Sequence, residues 1–372
     1  MNLVPIQTKS QWHCFATCAK LFYKNDKRYV PHLNSDIETI FNSEKNSHYK
    51  NGNAAAWILE NTSGEIIGRI AAFYSEKQFK TGIGGIGFFE CIDNIEAASL
   101  LFSAAENWLK LQGLKGTDAP INFGERDKYW GLLIQSNSEP SYQENYNPSY
   151  YQSLFEVNAY DKLFEQTTSE INFNSFKIDR FRKLSERVLS NPAYEFKHYK
   201  KSGLNQFAKD FVYIYNKAWG ERPDFIPLSL ESVMETLNAL KPILIEEAIW
   251  FVYANQEPAG FYVNVLEVNQ IFKKVNGELN LMGKLKFLYY RHFGKIDRMR
   301  GIVFGVIPAY QNLGLETGMI MKFHDAMLET KHFRRCELSW IGDFNPKMHS
   351  LFNAIGAETS KIHYTYRKLW DK

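Results

Sequence analysis

The sequence has few cysteines, no long apolar run and little excess of charge of either sign. Its cysteines are scattered, and no His or Cys pair elsewhere completes a zinc site with them: Cys14, Cys18, Cys91 and Cys336. We therefore expect reduced thiols, no metal and a cytoplasmic location. No stretch approaches the roughly 20 apolar residues of a membrane helix, and the first ten residues lack a signal-peptide pattern. No membrane association is expected.

The charge balance does not favour nucleic acid. Lys and Arg number 44 against 41 Asp and Glu, which leaves a net charge of +3, and no basic block stands apart from acidic neighbours. The most basic segment is 291–300. It is either a solvated connection or a site for an anionic ligand.

What the chain does contain is an internal repeat. At 372 residues it is long for one core, so two domains are expected. Gly68 and Gly260 hold the same place after the turn of two similar strand–turn–strand patterns. Three segments recur in the same order at nearly one offset: 29–31 with 225–227, 57–74 with 250–265, and 147–160 with 345–358.

The element order predicts a mixed α/β fold. Each copy reads as strand, helix, β-hairpin, strand, long helix, strand, helix begun by Asn-Pro, and closing strand. This order indicates two units, each a twisted mixed sheet flanked by helices. We expect an N-terminal domain over 1–175, a linker helix over 176–190 and a C-terminal domain over 191–372. Insertions lie at 125–146 and 268–299.

The segment that carries chemistry is VIPAYQNLGLET, residues 306–317. A strand ends at Val306, a Pro–aromatic turn follows, and a loop opens a long helix near Gly314. Such a turn directs unpaired backbone N–H groups toward one point, which suits a pyrophosphate. Gly314 allows the ligand to approach the backbone closely.

This loop resembles the acyl-CoA loop of the GNAT (GCN5-related N-acetyltransferase) superfamily, Gln/Arg-x-x-Gly-x-Gly/Ala after a strand ending in Val-x-Pro-x-aromatic. Gln311 and Gly314 match the first two fixed positions. The resemblance covers 194–368 and extends through the repeat to 1–165, so the whole chain resembles a tandem GNAT protein. It implies that acyl-CoA contacts these residues: Val306, Ile307, Gln311, Asn312, Leu313, Gly314, Leu315, Glu316 and Asn345.

The chain departs from the family pattern at two places. Glu316 stands where Gly or Ala is usual, and its carboxylate would oppose a pyrophosphate unless it turns outward. Phe352 stands where many members carry the Tyr that protonates the leaving thiolate. Tyr364 or Tyr366 either substitutes for it or packs in the sheet.

The first copy departs further from that pattern. Its corresponding segment has neither the Gly nor the Gln/Arg, and Asp93 and Glu96 would repel phosphates. We expect it to be a structural partner that shapes the cleft.

Acyl transfer to an amine requires a base. Glu337 is the candidate, with Ser339 positioned to hold water; the alternative for Glu337 is a paired or solvated carboxylate. The backbone N–H near Val306 would polarise the thioester carbonyl. Trp219 and Phe225 either form the acceptor wall that the resemblance implies or belong to the core.

The resemblance implies an acyl-CoA-dependent N-acyltransferase, with acetyl-CoA as the expected donor and an unidentified small-molecule or peptide amine as the acceptor. Two alternatives remain open: a transferase with another donor such as aminoacyl-tRNA, and a binding protein without catalysis. A monomer is favoured, because a repeat can complete internally what single-copy relatives complete by dimerising.

Overall fold

The computed structural model describes residues 1–174, 178–221 and 225–370. In the first half the strands are β1 (Asn2–Pro5), β2 (Asn53–Glu60), β3 (Ile66–Tyr74), β4 (Ile83–Cys91), β5 (Gly116–Ala119), β6 (Leu132–Ser136) and β7 (Asp161–Asn172). The helices there are α1 (Lys9–Thr17), α2 (Asn34–Ile40), α3 (Glu76–Thr81), α4 (Ile95–Leu111) and α5 (Tyr151–Val157).

The second half repeats this order with one more helix between its third and fourth strands and without a counterpart of β6. A helix between the halves, α6 (Ile178–Leu189), occupies the predicted linker, whose first two residues, 176 and 177, lie outside the described residues. The strands that follow are β8 (Tyr194–His198), β9 (Ile249–Ala254), β10 (Glu257–Leu266), β11 (Arg298–Val306), β12 (Arg335–Gly342) and β13 (Glu358–Leu369). The helices are α7 (Leu204–Trp219), α8 (Leu230–Leu240), α9 (Asn269–Val275), α10 (Leu281–Phe293), α11 (Leu315–Thr330) and α12 (Pro346–Ile355).

Within the described residues thirteen strands form one sheet, in the order β1-β2-β3-β4-β5-β13-β7-β12-β11-β10-β9-β8, with β6 paired to β13. Most neighbours are antiparallel, while β4–β5 and β11–β12 are parallel. Mixed pairing and flanking helices confirm the predicted α/β class.

The two halves exchange their long closing strands. β13, at the end of the chain, pairs with β5 of the first half, and β7 of the first half pairs with β12 of the second. β7 and β13 also pair with each other along most of their length. The exchange joins the two units into one continuous sheet.

The two hairpins turn by different means. The first uses Asn61, whose side chain accepts from the N–H groups of Ser63 and Glu65, with Gly64 in the left-handed region at φ 79°. In the second, Asn255 and Gln256 both have positive φ, at 50° and 72°. Two such central residues make the type I′ turn that matches strand twist.

The predicted Asn-Pro helix starts are correct in one copy only. Asn345 accepts from the N–H of Met348 at 3.3 Å and begins α12 with Pro346 at its first position. In the first half the side chain of Asn147 instead hydrogen-bonds both the N–H and the carbonyl of Leu133 in β6. It therefore does not cap a helix, and α5 begins only at Tyr151.

Candidate functional site

The second unit contains a fork in the sheet. β11 and β12 are paired only from Arg298 to Arg300, opposite Arg335 to Glu337. Beyond that point the described strands continue to Val306 and Gly342 without pairing with each other. We call the gap between 301–306 and 338–342 the fork. Its unpaired backbone groups can bond an extended ligand.

One backbone N–H points into the fork near its mouth. Val306 lies opposite Gly260, and the next residue, Ile307, donates its N–H to the carbonyl of Ala259 at 2.9 Å. Because N–H groups alternate in direction along an antiparallel strand, that of Val306 points away from β10 and into the fork. It is placed to polarise a carbonyl held there.

The loop 307–314 ends in an open helix N-terminus. The five backbone N–H groups of 312–316 donate to no acceptor among the described residues. Gly314 precedes α11 in the left-handed region, at φ 81° and ψ 13°, and provides no side-chain cap. A Cβ there would lie 3.2 Å from Val188, so a larger residue would crowd the turn. Unpaired N–H groups at a helix N-terminus bind anions.

The loop presents mainly backbone groups, and few side chains, to a ligand at the helix N-terminus. Ile307 and Leu315 are buried in the core, and Gln311 donates through Nε2 to the carbonyl of Val306 at 3.0 Å. Leu313 is exposed, and Asn312 has a positive φ of 63°. The predicted loop residues are therefore brought together, but a ligand would meet mainly their amides.

The corresponding fork of the first unit is closed by its own side chains. Gly68, the repeat partner of Gly260, lies opposite Cys91 as Gly260 lies opposite Val306. The N–H of Cys91 donates to Tyr151 Oη at 2.8 Å, and that hydroxyl donates to Glu90 at 2.9 Å.

The first unit's helix end and interior are also filled. The side chain of Asn94 caps α4 by accepting from the N–H of Ala97. A cavity of about 30 Å³ remains beside Glu90 and Arg69, room for about two waters. These contacts support the expectation that the first copy has a structural role.

Of the two interpretations of Glu337, the structure shows the paired carboxylate. Glu337 is 2% exposed; one of its oxygens lies 2.5 Å from Lys361 Nζ, and the other accepts from Ser141 Oγ. Burial raises its pKa, but Lys361, Arg298 and Arg300 outweigh burial and lower the pKa to about 2. A carboxylate held this way is a poor proton acceptor, so the assignment as base is corrected.

The basic segment 291–300 is mostly exposed over 291–295 and largely buried from 296 onward, so it is a solvated connection only in its first half. It spans the end of α10 and the start of β11, where Arg298 is buried and donates to the carbonyls of Glu139 and Pro140. Arg300 donates to the carbonyl of Tyr142. Both arginines therefore fasten the insertion of the first unit to the second.

Ser339 lies where strand pairing stops. Its Oγ is 2.6 Å from the carbonyl of Gly301 and 3.2 Å from that of Ile302. The hydroxyl thus bridges β12 to β11 at the closed end of the fork. It faces the gap, since Ser339 is exposed.

The other residues predicted to act in catalysis or to bind the cofactor do not gather at the fork. Tyr366 is buried in the first unit, 5.4 Å from the ring of Phe155, because β13 is exchanged. Tyr364 is half-buried, with Lys162 Nζ 3.9 Å from its ring centroid. Phe352 packs in the core of the second unit, and Asn345 caps α12.

Trp219 lies against the fork. Its ring packs on Gly305 of β11, where a Cβ would come within 2.6 Å of Cη2. It stacks on Tyr215 at 4.7 Å, and Phe225 lies 6.1 Å beyond Tyr215. The two residues predicted to contact substrate therefore belong to one aromatic row, continued by Phe261.

Sequence reasoning missed His349. It is the fourth residue after Asn345, as Tyr151 is after Asn147, so the two residues correspond in the sequence repeat. Its Nε2 lies 3.3 Å from the carbonyl of Gly342. With the proton on Nε2, Nδ1 is left as an acceptor. The Asn-Pro repeat is the signal that could have found it.

Among residues 1–174, 178–221 and 225–370, no group of three His, Cys, Asp or Glu could hold a metal ion. Within the same residues, no helix combines the length and apolar character needed to cross a bilayer.

No family model matches the chain. Protein YghO of Escherichia coli is 22% identical over 97% of this chain and 93% of its own. A protein named bacterial ceramide synthase, of Caulobacter vibrioides, is 20% identical over 99% of this chain and 97% of its own.

Solved structures agree in fold. A tandem GNAT protein from the clavulanic acid biosynthesis pathway superposes with a TM-score of 0.58 at 10% identity, covering 99% of this chain and 98% of its own. A GNAT acetyltransferase from Sphaerobacter thermophilus gives 0.50 at 9% identity, over 99% and 95%. The chain therefore has the GNAT fold, in the two-unit arrangement predicted from the repeat.

Proposed function

We propose that this chain with the tandem GNAT fold is an acyl-CoA-dependent N-acyltransferase whose donor site is the fork and loop of the second unit. The observation that carries the proposal is the joint placement of the Val306 N–H and the unpaired N–H groups of 312–316. The helix end suits the pyrophosphate of CoA, and the fork suits its extended amide-containing arm.

The acceptor proposed is a long-chain amine. A ceramide is the amide of a fatty acid with a long-chain amino alcohol, and a protein named for ceramide synthesis matches this chain over nearly its whole length. That name supports a long-chain acyl-CoA as donor over acetyl-CoA, the donor expected from the sequence. The aromatic row of Trp219, Tyr215 and Phe225 offers an apolar wall for such a chain.

The chemistry needs a polarised thioester and a path for one proton. The N–H of Val306 stabilises the oxyanion that forms when the amine attacks the thioester carbonyl. The C–S bond then breaks and the amide forms. In this proposal the proton lost by the amine passes through His349 Nδ1 to the leaving thiolate.

The testing experiment is calorimetric titration of free CoA, acetyl-CoA and a long-chain acyl-CoA into the purified chain. Micromolar binding is expected, and Gly314→Trp should abolish it by filling the anion site. Gly113→Trp is the matched control: Gly113 also has a left-handed backbone, at φ 83°, but nothing lies within 4 Å of its Cβ position. Absence of heat with all three ligands in a folded sample would refute the donor site.

The proton path is tested separately by His349→Gln. It should lower kcat at least tenfold while leaving the affinity for CoA unchanged, because it removes proton transfer and not binding. An unchanged kcat with a long-chain amine as acceptor would remove His349 from the mechanism.

A further inference from the structure

An inserted helix of the second unit turns its apolar side outward. α10 lies in the insertion 268–299, for which the first unit has only the short α3. We define its outer face by the apolar residues that are 53% to 76% exposed: Leu281, Met282, Leu285, Leu288, Tyr289 and Phe293. A contiguous apolar face of this kind is unusual on a surface that meets only water.

The outer face is a continuous helical stripe. Its members follow the spacing i, i+4, i+7 and i+8 that places residues on one side of a helix. The opposite side faces the protein through Gly283, Phe287 and Tyr290, and the rings of Phe287 and Phe272 of α9 lie 5.7 Å apart. α10 is therefore fixed to the domain by its inner side, which leaves the apolar stripe for another surface.

Cations border the stripe on both sides. At about 100° per residue, Lys286 falls beside Phe293 at one edge, and Lys284 and Arg291 fall together at the other. The sequence holds no acidic residue between Glu278 and Asp297. His292 is exposed on the same side, near the C-terminal end of the helix. The face is thus mostly apolar, cationic at both margins and without a carboxylate.

We propose that the outer face of α10 docks this protein on an anionic lipid bilayer, with the helix lying in the interface and the cations meeting lipid phosphates. A second copy fits the charges less well, since a twofold contact would bring the same cations together. The inference departs from the absence of membrane association expected from the sequence. It does not rest on the proposed enzymatic activity.

The test is co-sedimentation of the full chain with vesicles of phosphatidylcholine alone and of phosphatidylcholine mixed with phosphatidylglycerol. We expect binding to the mixed vesicles that weakens as salt is raised. Leu285→Glu/Leu288→Glu should reduce that binding at least tenfold. Lys284→Gln/Lys286→Gln should remove the preference for phosphatidylglycerol.

Two controls separate docking from misfolding. Leu111→Glu/Ile226→Glu places the same charges at residues 83% and 82% exposed on other surfaces and should bind as the wild type does. Leu285→Phe/Leu288→Phe keeps the face apolar and should also bind.

Three results would overturn the proposal. The first is a wild-type chain that stays in the supernatant with mixed vesicles, and the second is undiminished binding by Leu285→Glu/Leu288→Glu. The third is a wild-type dimer that the same variant converts to monomer without any vesicle binding, because a second copy would then be what covers the face.

Discussion

The ammonium of Lys361, on the last strand of the second unit, lies 2.6 Å from a carboxylate oxygen of Glu144 in the insertion of the first unit. The same nitrogen is 2.5 Å from Glu337, and all three side chains are no more than 2% exposed. Lys361 therefore bridges two buried carboxylates where the exchanged strands join the units, and Arg298 and Arg300 add positive charge near Glu337. Burial raises the pKa of Glu144, which makes that carboxylate depend on its cation.

Lys361→Met should lower the free energy of unfolding by about 3–5 kcal/mol, because it removes the cation that contacts both buried carboxylates. Urea denaturation at neutral pH measures the loss. Lys80→Met is the control, since Lys80 and Glu76 form an exposed i,i+4 pair and solvent screening leaves such pairs little effect on stability. Equal losses in the two variants would contradict the importance assigned to the buried cluster.

Glu316→Gln should strengthen CoA binding about two- to fivefold, since a carboxylate in the first turn of α11 opposes the pyrophosphate by about 0.5–1 kcal/mol. Calorimetric titration of CoA measures the change. Glu96→Gln alters the first turn of α4 in the closed unit and should leave the affinity as it was. Weaker binding by Glu316→Gln would mean that the carboxylate contacts CoA favourably.

His363 should make stability fall as pH falls from neutral toward acid. Burial is the main cause that lowers the pKa of His363 to about 3, while its hydrogen bond to the carbonyl of Asn145 opposes the shift. The unfolded chain takes up a proton near pH 6.5 and the folded chain does not. The stabilising contribution is complete above pH 6.5 and is lost progressively as pH falls toward the folded pKa.

The expected loss is about 1.6 kcal/mol between pH 6.5 and 5, since the slope approaches about 1.4 kcal/mol per pH unit only below pH 6.5. Urea denaturation of the wild type and of His363→Gln at both pH values measures it. The variant should have a pH dependence flatter by that amount, and identical slopes would show that His363 does not titrate as proposed.

Trp219→Leu should raise the KM for a long-chain amine about tenfold and leave the affinity for CoA unchanged, because the ring lies against Gly305 on the side of β11 proposed to hold the acceptor. Steady-state kinetics and titration of CoA measure the two effects. Trp108→Leu is the control, an indole in the first unit whose ring lies 5.9 Å from Tyr74. Loss of CoA affinity in Trp219→Leu would place the residue with the donor instead.

Local patterns in the sequence predicted the elements well. The hairpins, the helix beginning at Leu315 and the Asn345 cap all follow from turn and capping residues whose partners lie within a few positions. The candidate donor loop was predicted for the same reason, since a strand end, a turn and a helix start are consecutive in the chain. Asn147 is the exception, because a distant strand competes for its side chain.

What the sequence by itself determined, then, is the repeat, the α/β class and the loop at the start of α11, because each depends on near neighbours or on periodicity. Only the tertiary structure decided the exchange of β7 and β13, which buried Glu337 beside Lys361 and carried Tyr366 into the first unit. It also decided that α10 turns its apolar side outward. Periodicity reports which side of a helix is apolar, but only packing determines which side faces the protein.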